Sequence, residues 1–152
     1  MKERSVTHSS FVILRSYPVQ PEKVFAAFSD SAKKRRWFAE GEKAEPEVLE
    51  MDFRVGGNER IRFRAENGMV FTNHTIYRDI LPDRRIVFSY TMSLGDKCFS
   101  SSQSTIELLP TQKGADLIFT EQAAFFDGVD GPKMREEGWR LLFDQLEQEL
   151  AR

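Results

Sequence analysis

The sequence predicts an α+β fold in which a curved antiparallel sheet of about six to seven strands surrounds a long C-terminal helix. The first observation is the segment 131–152, where apolar residues recur three or four positions apart, as in an amphipathic helix. The second is a series of short apolar runs before it, separated by short turns, which favours antiparallel pairing. The third is the content of thirteen Phe residues, whose bulk must fill a core or line a pocket.

The composition predicts one globular domain that spans residues 1–152, since 40% of the residues are apolar and 30% are charged. A net charge of −2 gives no general attraction to nucleic acid or to an anionic membrane, so neither is an expected partner. No early apolar run resembles a signal peptide, and no segment is apolar enough to span a membrane. We therefore expect a cytoplasmic protein.

The sequence contains few residues that could bind a metal ion or form a disulfide bond. Cys98 is the only cysteine, which excludes an intrachain disulfide and a cysteine-rich zinc site. His8 and His74 are the only histidines, which excludes a site with three His ligands. We expect no metal site and no cofactor.

The N-terminal part begins with a polar segment, 1–9, that we expect to be frayed. The apolar run FVILRSY then predicts a strand over 11–17. A short helix is predicted over 22–29, because Pro21 suits a first helical turn. This helix is the first of two short helices that we predict directly after the first strand.

A second short helix is predicted over 32–38. Its basic residues, Lys33 to Arg36, are expected to face water, while Trp37 and Phe38 anchor it in the core. The charged segment 40–47 contains a glycine and a proline, and is predicted to be a loop.

The middle of the chain predicts a meander of strands. Residues 59–65 alternate between apolar and basic side chains, which is typical of a half-buried strand. Asn67-Gly68 is a strong hairpin turn. The predicted strands after the second helix cover 48–54, 59–65, 69–80, 85–92, 99–109 and 115–123, and a loop over 125–131 leads to the last helix.

The C-terminal helix is predicted to present one broad apolar face to this sheet. That face contains Met134, Trp139, Leu142, Phe143, Leu146 and Leu150. Charged residues are predicted to fill the opposite, exposed side, among them Arg135, Glu136, Arg140, Asp144, Glu147 and Arg152.

Several short strings, taken in order, carry a resemblance to a known family. They are PEKVFAAF at 21–28, WF at 37–38, FRVGG at 53–57, ILPDRRIVFSY at 80–90, FTEQ at 119–122 and EGW at 137–139. With these strings the chain resembles the START-like, helix-grip (SRPBCC) superfamily, and more narrowly the homologues of the C-terminal domain of the activator of Hsp90 ATPase. The resemblance covers 11–150 and implies an incomplete antiparallel barrel that grips the C-terminal helix, with an apolar cavity between them.

The resemblance implies three classes of function. Relatives bind lipids, hormones or polyketides, so the favoured prediction is a protein that binds a hydrophobic or amphipathic small molecule. Alternatives are a polyketide cyclase-like or hydrolase-type enzyme, and a module that contacts a chaperone. An exposed strand edge or apolar rim would also allow a homodimer.

The predicted cavity wall combines the helix face with inward strand residues and the second short helix. Each of these residues could equally be ordinary packed core. The candidate ligand-binding residues are Trp37, Phe38, Phe63, Tyr77, Phe88, Tyr90, Ile106, Phe119, Trp139, Leu142, Phe143 and Leu146.

Two residues are candidates for acid–base chemistry. Glu121 shares its strand face with Leu117 and Phe119, so alternation points its carboxylate inward, where it could orient a ligand or act as an acid or base. Alternatively, the strand ends before it and Glu121 is solvated. His74 could move a proton or donate a hydrogen bond, but both faces of its strand are mixed and the sequence leaves its direction open.

Overall fold

The α+β fold predicted from the sequence is confirmed, with seven strands, two short helices after the first strand and a long C-terminal helix. The computed structural model describes residues 4–39 and 46–152. Its elements in chain order are β1 (Val6–Tyr17), α1 (Pro21–Ser29), α2 (Ser31–Lys34), a π-helical turn (Arg35–Ala39), β2 (Pro46–Met51), β3 (Asn58–Arg64), β4 (Val70–Leu81), β5 (Arg85–Leu94), β6 (Lys97–Thr111), β7 (Gly114–Phe126) and α3 (Pro132–Leu150).

The seven strands of the described residues form one antiparallel sheet in the order β1-β7-β6-β5-β4-β3-β2. From β2 to β7 each strand pairs with its neighbour in sequence. β1 instead pairs with the last strand, so that Val6 lies opposite Phe126 and Tyr17 lies opposite Ala115. The inner face of this sheet holds the core, whose largest buried side chains include Phe119 on β7 and Phe143 on α3.

The helix starts follow from local chemistry. Pro21 and Pro132 occupy the first positions of α1 and α3, where a missing backbone N–H costs nothing. Asp30 caps α2, since its carboxylate accepts from the Lys33 backbone N–H at 3.1 Å. Trp37 then anchors the π-helical turn, because its indole N–H donates to the Ala27 carbonyl at 2.8 Å.

Several predicted boundaries were wrong at the ends of strands. Residues 6–9, predicted to be frayed, belong to β1, because β7 supplies hydrogen-bond partners that a polar sequence pattern does not reveal. Residues 125–126 likewise belong to β7 rather than to a loop. The second short helix is not regular over 32–38, since α2 ends at Lys34 and the chain continues as the π-helical turn.

The region around the second strand also differs from the prediction. β2 ends at Met51 instead of residue 54, and the chain turns back so closely that a Cβ on Gly57 would lie 2.1 Å from the Asp52 carbonyl oxygen. Glycine is therefore required at position 57. Of the predicted loop 40–47, residues 46–47 belong to β2 and 40–45 lie outside the described residues.

Two features are absent from residues 4–39 and 46–152. None of the helices there is long and apolar enough to cross a membrane. The same residues contain no group of three His, Cys, Asp or Glu side chains arranged to hold a metal ion.

Candidate functional site

An open pocket of about 490 Å³ lies between α3, the inner face of β3 to β6 and the π-helical turn. Five of the residues predicted from the sequence line it, namely Phe38, Phe63, Tyr90, Trp139 and Leu142. Phe38 and Trp139 meet at its inner end, with ring centroids 5.8 Å apart. The pocket is bounded on one side by the helix that also completes the core.

The sequence prediction missed other parts of the pocket wall. Phe71 and Phe99 pack edge to face, with ring centroids 6.4 Å apart, and both line the pocket. Met92 follows Tyr90 on the same strand face, so period-two alternation could have identified it. Asn73, Asp130 and Arg135 add polar groups to a wall that is otherwise mostly aromatic and aliphatic.

The other seven candidate residues do not line the open pocket. Five of them, Trp37, Ile106, Phe119, Phe143 and Leu146, are buried in the core, and Phe119 packs on Trp139 at 4.4 Å between ring centroids. Tyr77 and Phe88 line a separate void of about 10 Å³ on the far side of Phe38. The deeper part of the predicted wall is therefore ordinary packed core, which was the alternative interpretation of these residues.

Tyr90 is the centre of a buried polar network beside the pocket. Its hydroxyl donates to Glu121 Oε1 at 2.5 Å and accepts from the Trp139 indole N–H at 3.0 Å. The Arg135 guanidinium also donates to it at 3.0 Å, and Ser104 donates to the same carboxylate oxygen of Glu121 at 3.0 Å. These bonds fix the positions of the Tyr90 and Trp139 rings, which form part of the pocket wall.

Arg135 was predicted to face water, and this prediction was wrong. Its side chain is only 6% exposed, because it lies one helical turn before Trp139 on the inner face of α3. Its guanidinium donates to Asp130 at 2.9 Å, to Ser100 at 2.7 Å and to Ser102 at 3.2 Å. The helical spacing shared with Trp139 was the signal that could have identified it.

Glu121 faces inward and is completely buried, as the alternation on its strand indicated. Burial raises the pKa of its carboxyl group, and the hydrogen bond from Tyr90 and the charge of Arg135 oppose that rise. Among the described residues its Oε2 atom has no hydrogen-bond partner, and Arg135 Nη1 lies 3.9 Å away. Burial also raises the pKa of Tyr90, which keeps its phenol a neutral donor.

A second buried cluster joins α2 to the sheet. Lys34 was predicted to face water, but it is 6% exposed and its ammonium group lies 2.7 Å from Glu59 Oε1. Tyr77 donates to the same oxygen at 2.8 Å, and burial beside Glu59 raises the pKa of this phenol. The Lys34 ammonium also lies 4.7 Å from the centre of the Phe38 ring, a cation–π distance.

Arg36, in the same basic run, is also paired. Arg36 forms two hydrogen bonds with Glu149, at 2.9 Å and 2.7 Å, which connect the π-helical turn to the end of α3. These bonds lower the pKa of Glu149. The sequence could have indicated Glu59, because it alternates with Ile61 on β3 just as Glu121 alternates with Phe119 on β7.

His74 lies on the opposite face of the sheet from Thr75 and Tyr77, and it lines neither the pocket nor the void. Its Nε2 atom is 2.7 Å from Asn58 Oδ1. Partial burial and the neighbouring charge of Arg60 lower its pKa. A proton-transfer role for His74 in the pocket does not fit this position.

This arrangement of residues suits the binding of a small molecule better than acid–base catalysis. Glu121 does not line the pocket, whereas Tyr90 and Arg135, which contact its carboxylate, do. A ligand would therefore meet an aromatic wall and the polar edges of Tyr90, Arg135 and Asn73. General acid–base catalysis needs an ionisable group within hydrogen-bond reach of the reacting atom.

Comparison with known proteins gives a consistent family match. A family model described as "Activator of Hsp90 ATPase homolog 1-like protein" matches residues 18–151. No curated protein matches the chain. Among solved structures, protein Mll3558 from Rhizobium loti is 49% identical, with 95% of this chain and 99% of that chain covered and a TM-score of 0.88.

Two further structures extend the likeness. An uncharacterised protein from Rhizobium leguminosarum is 34% identical over 99% of both chains, with a TM-score of 0.95. An AHSA1-like protein from Aeromonas hydrophila is 16% identical, covers 94% of this chain and 92% of its own, and has a TM-score of 0.69. At that identity the third match is evidence of the fold alone.

Proposed function

The chain belongs to the family of Activator of Hsp90 ATPase homolog 1-like proteins, and from this premise we propose that it binds a hydrophobic or amphipathic small molecule in the open pocket. The observation that carries the proposal is the pocket itself. Its volume of about 490 Å³ lies within the range of roughly 300–1,000 Å³ that is typical of small-molecule sites. Its wall is mainly aromatic and aliphatic, with few polar groups.

The polar groups are arranged to orient such a ligand. Tyr90 and Trp139 are fixed by the hydrogen bonds that they donate to buried partners, Glu121 and Tyr90 respectively, so they offer a preformed wall. Arg135 and Asn73 border the same space and can direct a polar end of the ligand. The twelve candidate residues divide accordingly. The five that line the pocket would contact the ligand, five others belong to the core behind them, and Tyr77 and Phe88 line the small inner void.

The proposal can be tested with Nile red, an apolar dye whose fluorescence rises in apolar surroundings. Leu142→Lys places a long cationic side chain in the pocket wall and should weaken dye binding at least tenfold, or about 1.4 kcal/mol. Leu141→Lys is the matched control, because Leu141 is 59% exposed and lies outside the lining, and it should bind as wild type does.

Native mass spectrometry of the purified protein should in addition detect a retained small molecule that Leu142→Lys loses. If wild type binds neither the dye nor a retained molecule, or if both lysine variants bind equally well, the binding proposal is wrong. The two variants differ by one helix position, so general effects of an added charge cancel.

An enzyme of cyclase or hydrolase type is the alternative within the same pocket. The buried Glu121, with its raised pKa, is the group best suited to donate or accept a proton. Tyr90 and Arg135 stand between its carboxyl group and the open pocket, so we rank this alternative below binding. Conversion of a candidate substrate that is abolished by Glu121→Gln would favour it.

The family description suggests a chaperone contact as a further alternative, and an exposed apolar edge would also suit a homodimer. Val12 and Leu14 on β1 are 51% and 68% exposed, so this edge strand offers apolar side chains to a partner. Co-purification with an Hsp90-type chaperone, lost in Val12→Lys/Leu14→Lys, would favour the chaperone reading. We also propose that the protein is located in the cytoplasm.

A further inference from the structure

The open pocket and the small inner void share one wall. Four residues border both spaces, namely Phe38, Asn73, Tyr90 and Trp139. Behind that wall the void measures about 10 Å³, which is close to the space that one water-sized group occupies. A single oxygen atom on a ligand would fit there, whereas a larger polar group would not.

Phe38 is the aromatic residue of this wall that packing alone holds, through its ring contacts with Trp37 and Trp139 and the Lys34 ammonium. Tyr90 and Trp139 are joined by a hydrogen bond and tied to Glu121 and Arg135. Phe38 is only half buried, its ring forms no hydrogen bond, and it belongs to the π-helical turn. Turns of this kind are rare in proteins, and a large share of those known lie at functional sites.

The void is bordered by a neutralised ion pair. Lys34 and Glu59 both line it, and their opposite charges lie 2.7 Å apart. An ammonium group has three N–H donors, and that of Lys34 has two oxygen acceptors within reach, Glu59 Oε1 at 2.7 Å and the Tyr77 hydroxyl at 3.5 Å. An oxygen atom of a ligand would accept from the third.

The same pair disfavours a charged ligand end. A carboxylate would face Glu59 and an ammonium would face Lys34, and either would add an uncompensated charge to a buried space. Thr75 and Tyr77 add two hydroxyl groups to the lining, which suit a neutral oxygen.

We propose that the void is an inner subsite for an uncharged oxygen, a hydroxyl or a carbonyl, at one end of the ligand, and that Phe38 is the movable wall through which this end enters. The apolar body of the ligand remains in the open pocket. This inference rests on the proposed function and narrows its ligand to amphipathic molecules whose polar end is neutral.

Octanol is a suitable probe, with Nile red as the reporter of the open pocket. In wild type, octanol should displace Nile red. In the double variant Lys34→Met/Glu59→Met, which removes both charges together, octanol affinity should fall at least tenfold while Nile red affinity stays within twofold. Lys33→Met, next to the pair but outside the void, is the matched control.

A second measurement uses the unaltered protein. Isotope-filtered NMR should detect contacts between the carbinol protons of octanol and the ring of Tyr77, which lies beyond Phe38. Such contacts, together with the affinity loss in the double variant, are the expected result.

If octanol binds wild type but contacts only outer residues such as Phe71 and Phe99, and the double variant binds it equally well, the inner subsite is wrong and the binding proposal stands. If neither octanol nor Nile red binds wild type, both proposals are wrong. Should the double variant fail to fold, the NMR contacts in wild type decide between these outcomes.

Discussion

The two buried polar clusters are built from the same parts but neutralise their charges differently. Each joins a cation on a helix to a carboxylate and a tyrosine on the inner face of the sheet. Lys34 contacts Glu59 directly at 2.7 Å. Arg135 instead lies 3.9 Å from Glu121 Oε2 and donates to the hydroxyl of Tyr90 between them.

The difference arises because two carboxylates compete for Arg135. Asp130, just before α3, accepts from this guanidinium at 2.9 Å. Glu121 is left with hydrogen bonds from Tyr90 and Ser104, and its pKa rises with burial. An arginine therefore stabilises a nearby buried carboxylate less when a second carboxylate binds the same guanidinium group.

The largest expected effect comes from removing the cation that connects the most elements. Arg135→Met should destabilise the fold by roughly 4 kcal/mol, as expected when one partner of a buried ionic network is lost. Urea denaturation measures this loss. Arg140→Met is the control on the same helix, because Arg140 forms an exposed pair with Glu136 at 2.9 Å that contributes about 0.5 kcal/mol or less. Equal losses in both variants would show that the network does not stabilise the fold.

A somewhat smaller effect is expected at the other cluster. Lys34→Met leaves Glu59 buried without its cation and should cost roughly 3 kcal/mol. Lys34→Met/Glu59→Met should recover to within about 1 kcal/mol of wild type, because an apolar pair can replace a buried ion pair. Urea denaturation of the single variant, the double variant and Lys33→Met tests this, and a double variant less stable than the single one contradicts it.

The smallest effect concerns Glu121 and depends on pH. Because its pKa is raised in the folded state, its contribution to stability is present at acidic pH and is lost as pH rises through the folded-state pKa. Glu121→Gln lacks this titration and should be more stable than wild type at pH 7 by roughly 1 kcal/mol. That advantage should vanish as the pH falls to about 4, below the unfolded-state pKa of the carboxyl group.

Urea denaturation across this pH range measures the difference, with the exposed Glu107→Gln on β6 as control. A constant difference between wild type and Glu121→Gln at all pH values would mean that the pKa of Glu121 is the same in the folded and unfolded states. In that case the hydrogen bond from Tyr90 and the charge of Arg135 would offset the effect of burial despite the 3.9 Å separation.

The sequence was sufficient for the fold because apolar periodicity determines which surfaces must be buried. The α3 pattern correctly placed Trp139, Phe143 and Leu146 on the buried face, but Met134, which it also assigned to that face, is 68% exposed. The alternation at Glu121 gave the correct face. The same rules failed for Arg135 and Lys34, because charge alone was taken to mean exposure. Each lies on a face with apolar neighbours, and a buried partner makes that position tolerable.

The open end of the pocket was harder to predict for a geometric reason. A register shift between Met92 and Ser93 interrupts the pairing of β5 with β6, and Phe99 and Ser100 are both buried although they are adjacent. Alternation cannot assign a face across such a bulge. Phe71 and Asn73 lie on a strand whose two faces have similar composition, so only its neighbours in the sheet decide which side faces the pocket.

The pairing of the first strand with the last has a consequence for how the chain folds. The strands from β2 to β7 pair with their neighbours in sequence, so each of these hairpins can form from local contacts early in folding. β1 must find a partner across almost the whole chain, with residue 6 opposite residue 126. Contacts of such long separation slow folding, because the closure entropy is lost before the contact forms. We therefore expect β1 to join last, on an already assembled meander.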